Sequence, residues 1–149
     1  VSEVELVNVY DVQDSPVLLY RLLQERSTED DPYINISHRK LPTWREHLKF
    51  FDSKPYRRWY LIQTLGERYA GTCYLTRQNE IGIVLFREHR GNGYGLHAVN
   101  KLITEHKPLK AIPGKRSGQF IANINPNNQR SIRIFQRLGF THIQNTYEL

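Results

Sequence analysis

The chain has 149 residues, 39% of them hydrophobic and 11% aromatic, and a formal charge of +6 from 21 basic against 15 acidic side chains. That is enough apolar material for a single domain, residues 1–149, with one core and no help from disulfides or structural metal. Its longest apolar runs fall far short of the roughly 20 residues a membrane span requires, and its one cysteine excludes an internal disulfide, a cysteine-rich zinc site and a CxxC redox pair.

Val1-Ser2-Glu3-Val4-Glu5-Leu6 holds no basic segment followed by an apolar core, so the expected setting is cytoplasmic and reducing. Residues 4–9 alternate weakly and predict a first strand. Asp14-Ser15-Pro16 supplies a capping residue and a proline suited to a first helical turn, ahead of Val17, Leu18, Tyr20, Leu22 and Leu23. Residues 27–40 are polar, contain Pro32 and read as a loop. A capping box at Thr43 and Glu46 opens a second helix, whose Trp44, Leu48 and Phe51 share one face. Residues 59–65 and 69–76, aromatic and branched, flank Gly66-Glu67 in the pattern of an antiparallel hairpin. Within the second of these, Cys73 reads as a buried strand thiol, since nothing beside it would lower its pKa.

A turn at Arg77-Gln78-Asn79 leads into residues 80–87, nearly all apolar after Glu80, which predicts a central strand. Leu96, Val99 and Ile103 then line one face of a helix over residues 93–105. After a loop over 107–118, a short strand is expected over 119–124. A helix follows over 127–138, with Ile132, Phe135 and Leu138 inward and Gly139 as its stop, and then a last strand over 141–147. Strands that first meander and then alternate with helices give a mixed α/β (α+β) layer structure. The six histidines show neither HExxH nor paired ligand spacing, so no metal site is expected.

Gly91, Gly93 and Gly95 lie between the apolar strand and a helix, where missing side chains let successive N–H groups converge at a helix start and bind phosphate oxygens. A glycine-rich turn without a ligand fits the same residues. The loop is not a P-loop, because no Lys-Ser/Thr follows its last glycine. It is not the dinucleotide fingerprint either, since Leu96 stands where a third glycine belongs.

The run Glu80-Ile81-Gly82-Ile83-Val84-Leu85-Phe86-Arg87-Glu88-His89-Arg90-Gly91-Asn92-Gly93-Tyr94-Gly95 resembles motif A of the GNAT family of N-acetyltransferases, whose core is Gln/Arg-x-x-Gly-x-Gly/Ala. Arg90, Gly93 and Gly95 fill those places. Asn128-Gln129-Arg130-Ser131, followed by a helix ending in Leu138-Gly139-Phe140, resembles the family's motif B. The resemblance covers residues 59–147 well and the N-terminal helices only in outline.

It implies a central mixed, mostly antiparallel six- to seven-stranded sheet with helices on both faces and splayed fourth and fifth strands. It also implies acetyl-CoA as cofactor. Leu85, Phe86 and Arg87 would offer backbone groups to the pantetheine arm, and the N–H groups of Arg90, Gly91, Asn92, Gly93, Tyr94 and Gly95 would hold the pyrophosphate. Asn123, Asn128, Ser131 and Phe135 would line the cofactor, although Asn128 reads equally well as a helix cap. Glu80 begins the central strand at a place resembling that of the family's catalytic glutamate and would take the amine's proton. Where many members carry a tyrosine that protonates the departing sulfur, this chain has Phe135, which has no proton to give. Ser131, Tyr147 or water then does this work, or the thiolate leaves unassisted.

The family reads its acceptor with the segment before the hairpin. Tyr33, His38 and Trp44, together with Glu80, are the substrate-binding candidates, and Asp30, Asp31 and Tyr56 are also available there. The favoured acceptor is the amine of a small molecule, such as a nucleotide-linked amino sugar, with a ribosomal-protein-type N-terminus as runner-up. Outside the enzyme class stand a non-catalytic CoA-binding domain and a basic RNA-binding module. The second would need an aromatic strand motif or an ordered basic stripe, and neither is found, so nucleic acid is not the expected partner. A monomer or homodimer with no membrane contact is expected.

Overall fold

The computed structural model describes residues 3–27 and 40–149. In chain order they form β1 (Val4–Asn8), α1 (Ser15–Ser27), α2 (Trp44–Asp52), β2 (Arg58–Thr64), β3 (Tyr69–Leu75), β4 (Ile81–Leu85), α3 (Tyr94–Glu105) and α4 (Gln129–Arg137). The strands make one antiparallel sheet in the order β1-β2-β3-β4. The expected hairpin joins β2 to β3, and Glu67 takes a left-handed φ of 60° in its turn.

Alternation along the strands divides their side chains between two cores. Ile62, Cys73, Leu75 and Ile81 pack with Ala98, Val99 and Leu102 of α3 and Phe135 of α4. On the opposite face, Trp59 and Leu61 pack with Leu19 and Leu22 of α1 and Phe51 of α2, and Tyr74 and Val84 join them partly buried. Helices therefore cover both faces of the sheet, as expected.

The capping box forms as read: Thr43 Oγ1 accepts the Glu46 N–H at 3.1 Å, and Glu46 Oε1 accepts the Thr43 N–H at 2.8 Å. The buried face of α2 is turned from the expected one, with His47 and Phe51 inside and Trp44 41% exposed. Polar pins cause this rotation. The His47 Nε2–H donates to the Pro16 carbonyl at 2.8 Å, and the Tyr20 hydroxyl donates to the Pro42 carbonyl at 2.8 Å, so that face is drawn onto α1. Likewise α3 buries Gly95, Ala98, Val99 and Leu102 rather than Leu96 and Ile103, the small residues allowing close approach. A Cβ on Gly95 would lie 2.9 Å from Ile134 Cδ1.

The Leu138-Gly139-Phe140 ending has a physical explanation. Gly139 adopts φ 94°, its N–H reaches the Gln136 carbonyl, and the Phe140 N–H reaches the Phe135 carbonyl at 3.0 Å. This is the Schellman arrangement, and its usual hydrophobic contact is present, with the Phe135 and Phe140 rings 5.1 Å apart.

Among the described residues the sheet has four strands, not six to seven. Residues 119–124 contribute a single parallel bridge, Ile121 to Glu80, instead of a strand. Residues 141–149 form no strand, and all are exposed. The 119–124 segment diverges from β4 after one residue, so no ladder can propagate there.

The turn before β4 holds a residue whose importance the sequence does not signal. Asn79 is fully buried at φ 66°. Its Nδ2 donates to the Leu109 and Ser117 carbonyls at 2.9 and 2.8 Å, and its Oδ1 accepts the Leu109 N–H at 2.7 Å. One side chain thus pins the 107–118 loop against the start of β4. Asn79→Ala removes three buried hydrogen bonds and puts at positive φ a residue that tolerates it less well than asparagine, a loss on the order of 3 kcal/mol. Asn79→Gly keeps the backbone freedom and loses less. Urea unfolding of both variants checks this, and midpoints equal to that of the parent would contradict it.

Candidate active site

A cavity of about 590 Å³ lies between the α1–α2 layer and the outer edge of β4. Glu80 enters its wall at the foot of β4, held by its backbone: its N–H donates to Thr76 Oγ1 at 3.0 Å, and its carbonyl accepts the Thr76 N–H at 2.8 Å. Gly82 and Val84 follow on the same strand face. Tyr74 stands directly across from Gly82 in the β3–β4 register. A Cβ at Gly82 would lie 2.0 Å from Tyr74 Cζ and 2.4 Å from its hydroxyl oxygen, so the phenol ring lies over the glycine. Tyr56 stacks on that ring at 4.0 Å and 11°. Burial pushes both phenols above their ordinary pKa, the negative Glu80 carboxylate adds to the rise, and the Arg26 guanidinium opposes it. Both rings therefore keep their protons throughout the neutral range.

Hydrogen-bond alternation decides what the edge of β4 offers. The Phe86 N–H donates to the Ala70 carbonyl at 2.9 Å, and the Thr76–Glu80 bond has the same parity. Residues 80, 82, 84 and 86 thus turn their polar backbone groups toward β3, while Ile81, Ile83 and Leu85 turn theirs outward. Ile81 is paired, its N–H on the Ile121 carbonyl at 2.8 Å. Beyond that bridge the chain veers away, leaving Ile83 before a gap that Asn123 and Asn125 also line. Of the three residues expected to offer backbone groups, Leu85 turns its N–H and carbonyl away from β3. The N–H of Phe86 is committed to Ala70 and that of Arg87 to a Glu25 carboxylate oxygen, whereas Ile83, on the cavity wall, turns its backbone groups outward.

The glycine loop follows. Gly91 and Gly93 sit at φ 80° and 82°, conformations that side chains resist. The first bond of α3 runs from the His97 N–H to the Gly93 carbonyl at 3.2 Å. Tyr94, Gly95 and Leu96 therefore present N–H groups without an intrahelical acceptor, at the positive end of the helix dipole. The Asn92 side chain folds back onto the His89 carbonyl at 3.3 Å and braces the loop from outside.

Asn128 caps α4, its Oδ1 accepting the Ser131 N–H at 3.3 Å, and both residues also line the cavity. Phe135 is buried at the cavity wall. Two candidates stand elsewhere, and two more fall outside the described residues. Tyr147 is 88% exposed on the C-terminal segment, away from the cavity, because no final strand carries it inward. Trp44 packs edge-on against Tyr20 at 5.2 Å and is not on the wall. Tyr33 and His38 lie outside the described residues. In their stead the wall holds Tyr56, Tyr74, His47 and Arg26. For Tyr74 a signal existed in Gly82, a glycine in an otherwise branched strand, which marks a close approach.

Cys73 is fully buried, and burial pushes its thiol up to about 12, so it is no nucleophile. Part of the basic charge is structural: the Arg57, Arg77 and Arg116 guanidiniums bond the carbonyls of Lys107, Pro55 and Lys110. Among the described residues, no helix is long and apolar enough to cross a membrane.

The family model of the acetyltransferase (GNAT) domain matches residues 6–141. The chain belongs to this family. A domain from Methanocaldococcus jannaschii DSM 2661 is similar at 25% identity and TM-score 0.73, covering 99% of this chain and 94% of that one. The spermidine N-acetyltransferase of Vibrio cholerae, in complex with CoA and spermine, superposes at TM-score 0.71 with 12% identity, over 97% and 84% of the two chains. An N-acetyltransferase from Staphylococcus aureus Mu50 follows at TM-score 0.65 and 20% identity, over 95% and 84%. No curated protein matches the sequence. This GNAT domain is an acetyl-CoA-dependent N-acetyltransferase.

Proposed function

We propose that this acetyltransferase acts on the primary amine of a small molecule by direct attack in a ternary complex, with Glu80 as the base. The observation that carries the reading is one continuous cavity whose wall includes Glu80, Ile83 on the open edge of β4, and Asn123 and Asn128. The residues present suit the cofactor. The helix-start N–H groups after Gly93 would hold its diphosphate, the outward edge of Ile83 and Leu85 would pair with its amide-bearing arm, and Asn123 and Asn128 would face that arm across the gap. Acetyl-CoA supplies an acetyl group on a thioester. The amine nitrogen bonds the acetyl carbon as the carbon–sulfur bond breaks, and the amine's proton passes to a Glu80 carboxylate oxygen directly or through one water. The favoured acceptor is a nucleotide-linked amino sugar, which offers one reacting amine and a planar base for the aromatic wall.

The first experiment is a thermal shift. Acetyl-CoA at about 100 times its Kd adds about 2.7 kcal/mol, a rise on the order of 5–10 °C for a chain of this size. No shift at millimolar acetyl-CoA would remove the reading. Thiol release against a panel of amino sugars and peptide N-termini then finds the acceptor.

Phe135 leaves the departing sulfur without the usual phenol, and Ser131 is the nearby hydroxyl on the same wall. A thiolate whose conjugate acid has a pKa near 8.5 leaves tolerably at neutral pH. Phe135→Tyr is therefore expected to raise kcat by no more than about tenfold. A gain in the full range of roughly 10²–10⁴ for general-acid catalysis would mean that sulfur protonation limits the native enzyme.

A further inference from the structure

The charges and rings on the cavity wall define the class of acceptor. Among the described residues, its charged side chains are Arg26, Glu46 and Glu80. Glu46 is exposed at the start of α2 and has one oxygen on the Thr43 N–H in the capping box. Glu80 is then the carboxylate that lies within the cavity to meet an ammonium.

The remainder of the wall is of a different kind. Tyr56 lies parallel to Tyr74, Trp59 stands edge-on to Tyr56 at 4.8 Å, and Phe50 meets Tyr56 at 5.8 Å. Leu19, Leu22 and Leu23 of α1 close the same side. Flat and apolar surfaces of this sort hold a planar body by stacking and by excluding water.

Resting on the reading that Glu80 receives the amine, we infer that the acceptor carries its reacting amine beside Glu80 and a planar, apolar or heteroaromatic body seated against Tyr56, Trp59 and Phe50. Polyamines such as the one bound by the Vibrio cholerae structure bring no planar body to this wall and should be the poorer acceptors. Specificity then resides in the α2 and β2 aromatics, and Phe50, 45% exposed, is the ring that can be removed with least harm to the fold.

The test compares 2-phenylethylamine, a uridine-diphosphate-linked amino sugar, glucosamine and spermidine by initial rates, and by calorimetric binding of each amine to the protein saturated with CoA. The better of the two planar monoamines is expected to exceed spermidine at least 30-fold in kcat/KM and to bind measurably tighter than glucosamine. Phe50→Ala should lower planar-amine affinity about tenfold and leave acetyl-CoA binding unchanged. Leu23→Glu, which adds a further carboxylate to the wall, should narrow the gap to spermidine about tenfold. Preferred acetylation of spermidine that still depends on Glu80 would overturn this inference and leave the proposed function standing. Turnover of none of the four amines, in an enzyme indifferent to Glu80→Gln, would overturn both.

Discussion

Glu80→Gln is expected to lower kcat by roughly 10²–10⁴-fold, the usual contribution of a positioned general base, while acetyl-CoA affinity stays within about twofold of the parent. The amide keeps the shape and polarity of the side chain but cannot take a proton. The Glu80 backbone bonds to Thr76 are untouched, so the strand and the gap beside it persist. The variant also removes the negative charge that helps hold the Tyr56 and Tyr74 phenols protonated, so both should ionise at lower pH than in the parent. A phenolate absorbance titration reads that change independently of turnover. Unchanged kcat would dispose of Glu80 as the base, whatever the titration shows.

Gly82→Ala is expected to damage the site and the fold together. The added methyl would occupy space held by the Tyr74 ring, 2.0 Å from its Cζ. The ring must then swing into the cavity or the β3–β4 pair must part. Overpacking of this kind costs roughly 1–3 kcal/mol, and a ring displaced beside Glu80 should lower kcat/KM for the amine by more than about tenfold. Tyr74→Ala vacates the space, so the double variant Gly82→Ala/Tyr74→Ala should lose less stability than the sum of the two single losses. Additive losses in this double-mutant cycle would mean that the two residues do not meet.

Signals carried by short stretches of chain were legible in the sequence. The Thr43–Glu46 box, the hairpin at Gly66-Glu67, the glycines before α3 and the Phe135–Phe140 stop each depend on a few neighbouring residues, and each stands in the structure. What escaped was set at long range. The buried face of α2 follows from the bond between His47 and Pro16, 31 residues apart in sequence, and no hydrophobic period reveals it. Asn79 looked like an ordinary turn residue because its partners, Leu109 and Ser117, lie 30 and 38 residues onward. The short apolar stretch within residues 119–124 predicts a strand, yet a strand needs a partner, and the chain leaves β4 after Ile121. That same failure of pairing leaves Ile83 and Leu85 facing open space. Tyr147 was a candidate only through the strand expected around it.

The loop carries the account, and amide resonances report on it most directly. In a titration of the ¹⁵N-labelled protein with acetyl-CoA, the N–H signals of Gly93, Tyr94, Gly95 and Leu96 should move furthest, joined by those of Ile83 and Leu85. Phe86, whose N–H is held by the Ala70 carbonyl, should move less. Saturation by acetyl-CoA with these six amides unmoved and the shifts elsewhere would contradict the assignment of the diphosphate to the start of α3.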